Sequence, residues 1–165
     1  MPIPKEIFIE EKEPDEIIIE KPRKNKINPL EKVFEFLQTD FEEMGYRDAI
    51  NEAEAEDGIR NQRLNALRQD LRILIEHSIL KIEEALSDID TKITRATRNG
   101  LIDTVDNLRN ERAKLSNELE KLKEMKTDIL KKNESSDWMR IISEKYDLGF
   151  RRGVAEKFKT DSLLK

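Results

Sequence analysis

The chain has 165 residues, a net charge of −5 and no cysteine; 41% of its residues are charged, 36% hydrophobic and 5% aromatic. This balance is too polar for a large globular core, and the missing cysteines exclude a disulfide framework, a thiolate zinc site and a cysteine nucleophile. The acidic excess argues against a general polyanion binder, and the whole composition suits long helices with a narrow buried seam.

Residues 1–27 read as an extended arm. Pro4–Glu13 and Pro14–Arg23 are imperfect copies of one decapeptide, each with three large apolar residues flanked by glutamate: Ile7, Phe8 and Ile9, then Ile17, Ile18 and Ile19. β-branched residues favour strands and the prolines oppose helix. A local β-hairpin would need a tight turn, but the connection lacks glycine and contains Pro14. Addition of each triplet as a strand to a partner's sheet edge is the favoured expectation, with two tethered copies giving avidity. A basic run of Lys21, Arg23, Lys24 and Lys26 follows. No basic stretch leads into an apolar one here, so no secretory signal is expected. No run approaches the ~18 apolar residues of a membrane span. The expected location is cytoplasmic, or within a particle assembled inside a cell.

Residues 28–58 predict N-terminal helices. Asn28 reads as an N-cap, with Pro29 at the first helical position and Glu31 completing a box-like start. Leu30, Val33, Phe34, Leu37, Phe41 and Met44 share one face, and Gly45 reads as the left-handed residue that ends the helix. A second stretch from Tyr46 to Asp57 precedes an interruption at Gly58.

Residues 59–132 predict an antiparallel coiled-coil αα-hairpin. The first seam runs Leu64, Leu67, Leu71, Ile75, Ile79, Ile82, Leu86, Ile89, Ile93 and Ala96, in steps of three and four. Asn99-Gly100 breaks the helix. The second seam holds Leu101, Leu108, Leu115, Leu122 and Ile129 seven apart, with Val105, Arg112, Leu119 and Lys126 between them. Folded about the turn, Ile93 meets Val105, Ile82 meets Leu115 and Leu67 meets Ile129, so the seams stay in register along their length. Arg112 and Lys126 on the seam disfavour a parallel zipper, in which each would face its own copy. Ile73, Leu74 and Leu80 widen the base, where the terminal segments are expected to cover them.

Residues 133–165 predict a short helical hairpin: a helix from Asp137 capped by Ser136, a turn at Asp147-Leu148-Gly149, and a last helix from Phe150 to Phe158. Arg151, Arg152, Lys157 and Lys159 make it basic, the basis of an alternative reading as a nucleic-acid-associated regulator. His77 is the one histidine. No phosphate-binding, dinucleotide-binding, zinc-protease or EF-hand motif occurs. The fold class expected is therefore all-α, a long coiled-coil hairpin with a small helical bundle at its base and an extended N-terminal arm. The expected function is that of a non-enzymatic adaptor or assembly protein that binds protein partners within a larger complex. It includes the possibility of a homo-oligomer and involves no cofactor, metal, small-molecule substrate or membrane.

Overall fold

The computed structural model describes residues 29–51 and 57–164. The decapeptide arm, with Ile7, Phe8, Ile9, Ile17, Ile18 and Ile19, and the proposed cap Asn28 lie outside them. Among the described residues the protein is all-α, with five helices: α1 (Pro29–Leu37), α2 (Phe41–Asn51), α3 (Asp57–Arg98), α4 (Ile102–Ile129) and α5 (Asp137–Leu164).

The 42 residues of α3 form a rod of roughly 63 Å and the 28 of α4 one of roughly 42 Å. Residues 99–101 join them. Leu101 N–H bonds Ala96 O at 3.0 Å and Gly100 N–H bonds Thr97 O at 3.2 Å, a Schellman closure. It requires the left-handed backbone that Gly100 adopts at φ 70°. Asp90 pairs with Arg112 at 2.7 Å and Glu76 with Lys126 at 3.5 Å, so α4 runs back along α3. The two seam cations thus lay their stems across the interface and spend their charge on the facing helix.

The core lies at the open end of the two long helices. Leu64, Leu71, Ile75 and Ile82 of α3, Leu122 and Ile129 of α4, Val33 of α1, Phe41 of α2, and Met139, Ile142 and Tyr146 of α5 are fully buried. Nearer the turn, buried Ile89, Ala96 and Val105 all belong to α3 and α4. Pro29 O accepts a 2.8 Å bond from buried Ser78 Oγ, which docks the start of α1 near the middle of α3.

Several sequence expectations are corrected. The first helix ends at Leu37, because Asp40 Oδ1 accepts from Glu43 N–H at 2.9 Å and starts a new helix there. Gly45 is not a left-handed terminus but an interior residue of α2, and Gly58 lies inside α3. The short C-terminal hairpin does not form: α5 continues unbroken through Gly149 and Gly153. The physical reason is a close helix crossing. A Cβ on Gly149 would sit 1.7 Å from Glu42 O, one on Gly45 2.1 Å from Tyr146 O, and one on Gly153 2.7 Å from both Ala49 Cβ and Tyr46 O. The absent side chains let α2 and α5 touch backbone to backbone, which outweighs the helix propensity glycine forfeits. Ile73 and Leu80, expected under the terminal segments, are 51% and 56% exposed, and Phe34 is 52% exposed. Ile73 and Leu80 fall on the side of α3 opposite the seam, where neither α4 nor α1 reaches.

Candidate functional site

Two features of the helical base have the geometry of sites. The first is an ion-pair clamp on the early turns of α3. Arg63 Nε and Nη2 donate to Asp48 Oδ2 and Oδ1 at 2.7 and 2.9 Å, and Tyr146 OH donates to the same Oδ2 at 2.9 Å. This planar two-point pairing is the strong form of the arginine–carboxylate bond. One turn earlier, Arg60 Nη2 donates to Asp147 Oδ2 at 2.8 Å. Residues far apart in sequence thus lock α2, α3 and α5 together. Burial alone would raise the Asp48 carboxyl, but the hydrogen bonds from Arg63 and Tyr146 and the guanidinium charge hold it below the ordinary range. Burial, then the bond to Asp48, pushes the Tyr146 phenol well above its usual value, so it stays a neutral donor. The clamp is electrically satisfied, and its chemistry is that of a fastener.

The predicted basic residues meet different fates on α5. Arg152 bonds Glu42 Oε1 at 2.8 Å, lies 3.9 Å from Glu43 Oε2, and stacks 4.9 Å above the Tyr46 ring. Its charge is therefore committed to α2. Lys157 is half-buried. Arg151 and Lys159 are exposed, and Arg151 lines a shallow 410 Å³ depression with Arg60, Asp147 and Phe150. The structure does not gather the four into one outward cationic patch. His77 is exposed on α3. Among the described residues no group of three or more His, Cys, Asp or Glu side chains could hold a metal ion. Among them, too, no helix is long and apolar enough to cross a membrane.

The second feature is a groove of 490 Å³ where α1, α4 and α5 meet. Leu30 and Phe34 of α1, Met125 of α4 and Trp138 of α5 give it apolar walls. Glu118, Glu124, Asp128 and Asp137 rim it, against the single cation Lys121. Asp128 closes one end by capping α5: it accepts from Ser136 Oγ at 2.8 Å, Asp137 N–H at 3.0 Å and Trp138 N–H at 3.1 Å. Ser136 Oγ meanwhile accepts from Met139 N–H at 3.1 Å, as its predicted role as N-cap requires. Burial works to raise the Asp128 carboxyl, yet these hydrogen bonds leave it below the ordinary value.

Sequence reasoning missed both the clamp and the groove. Asp48, Arg63 and Tyr146 carry no local signal, since their meeting depends on the glycine crossing. The groove had a partial signal in the i, i+4 pair Leu30 and Phe34, but its acidic wall reads as an ordinary solvated helix face. No protein-family model, no curated protein and no solved structure matches this chain.

Proposed function

We propose that the chain is a non-enzymatic adaptor or structural assembly protein: a coiled-coil spacer whose N-terminal arm docks a partner by strand addition. The observation that carries the reading is the pairing of α3 with α4, a long two-helix rod anchored in a bundle at one end. A rod fixes distance, and two short apolar motifs on one tether supply affinity by simultaneous engagement.

The alternative, a nucleic-acid-associated regulator acting through Arg151, Arg152, Lys157 and Lys159, is the weaker reading. Phosphate contact needs cations free to displace counterions, and Arg152 is already held by Glu42, Glu43 and Tyr46.

Affinity purification with the full chain tests the leading reading. Partners held by the wild type are lost when Ile7, Phe8, Ile9, Ile17, Ile18 and Ile19 are all replaced by serine, with helicity by circular dichroism unchanged. Replacing one triplet alone weakens retention by roughly a hundredfold, the share owed to the second attachment. Retention that survives all six substitutions contradicts the reading.

A further inference from the structure

We propose that the acidic groove between α1, α4 and α5 is the docking site for the chain's own basic run, Lys21 to Lys26. The inference does not depend on whether the arm binds a partner; it concerns how the arm's root is held.

Three observations carry it. The first is charge. Glu118 and Glu124 line the groove beside Asp128 and Asp137, and neither Glu118 nor Glu124 forms an ion pair among the described residues. Residues 21–28 contain four cations and no acid. The second is position. Leu30, a groove wall, immediately follows Pro29, the residue at which the undescribed segment joins α1. The third is length. An extended chain covers up to ~10 Å from Pro29 back to Lys26 and up to ~28 Å back to Lys21. The acidic wall from Glu118 to Asp128 is roughly 15 Å long, within that reach. Tethering raises the local concentration of the run to a level that free peptide does not match, so pairs that are individually weak act together. Ile27, the one large apolar residue of the segment, suits the apolar wall of Leu30, Phe34, Met125 and Trp138.

The consequence is directional. With residues 21–27 seated, the chain that carries the two apolar triplets leaves the body from a fixed point beside α4.

Trp138 is the only tryptophan and lines the groove, so its fluorescence reports the occupant. In the full chain, changing Lys21, Arg23, Lys24 and Lys26 together to glutamate is expected to red-shift Trp138 emission. Quenching by acrylamide should roughly double as the ring loses its cover. Changing Glu118 and Glu124 to lysine does the same, and combining the two charge reversals restores the wild-type signal. High salt reproduces the change in the wild type, since exposed pairs are screened. Emission and quenching unaltered by the arm-side reversal overturn the proposal, as does failure of the combined chain to recover. If the groove-side variant loses helicity, the arm-side variant decides, because it alters no residue of α1 to α5. A signal moved by replacing the Ile7 and Ile17 triplets but not by the charge reversals would assign the groove to the apolar motifs instead, and overturn it too.

Discussion

Gly149→Ala destabilises this protein by about 3 kcal/mol, a fall in thermal midpoint of roughly 6–12 °C for a chain of this size. A methyl group there would meet Glu42 O at 1.7 Å and Glu42 C at 2.6 Å. Both are main-chain atoms of α2, so no side-chain rotation relieves the contact. Either α2 retreats, and the Asp48–Tyr146 bond with it, or α5 shifts along its length and strips Arg152 from Glu42. Alanine gains up to ~1 kcal/mol of helix propensity over glycine, which offsets only part of the loss. Gly58→Ala is the matched control: a Cβ there has nothing within 4 Å, and the same propensity gain leaves stability unchanged or slightly higher. Thermal melts followed by circular dichroism separate the two. Equal midpoints for Gly149→Ala and Gly58→Ala contradict the crossing.

Asp128→Ala removes about 2 kcal/mol, the combined worth of a cap and the hydrogen bonds around it. Its three donors lie at the very start of α5, on Ser136, Asp137 and Trp138. Hydrogen exchange should therefore rise first in the opening turn of α5, ahead of the seam of α3 and α4. Asp128→Asn keeps an acceptor but loses the charge that favours a helix N-terminus, so it falls between wild type and alanine. The same carboxylate dictates a pH dependence. Its folded value is depressed, so its stabilisation is fully present above the unfolded carboxylate value of about 3.9 and lost as pH falls through the folded value. Asp48 acts in the same direction. Wild type thus weakens on acidification below about pH 4, and Asp128→Asn flattens that slope. A slope identical in the two proteins removes Asp128 from the account.

The long helices were legible because their information is local. A seam every three or four residues and a lone Asn-Gly specify two rods and a turn, and Ser136 caps α5 where the sequence placed it. The base was less legible because its information is tertiary. Gly45, Gly149 and Gly153 resemble helix breakers read singly; only facing one another do they become the contact that holds α2 to α5. Arg152 reads as a free cation in the sequence and turns out to be shared between Glu42, Glu43 and Tyr46. Phe34, Ile73 and Leu80 show the converse: apolar character marked them for the core, but burial depends on which side of the helix a neighbour reaches. Of the candidate sites, the arm triplets lie outside the described residues. The groove could be found only once α1, α4 and α5 had been brought together.

The spacer reading depends on α3 keeping one unbroken helical length in solution. With no native cysteine, Gln62 and Asn99, both exposed, can be changed to cysteine and spin-labelled cleanly. Double electron–electron resonance between them should give one narrow distance of roughly 55 Å, set by the helical rise over the intervening residues. A broad distribution, or a main distance far shorter than this, would contradict the spacer.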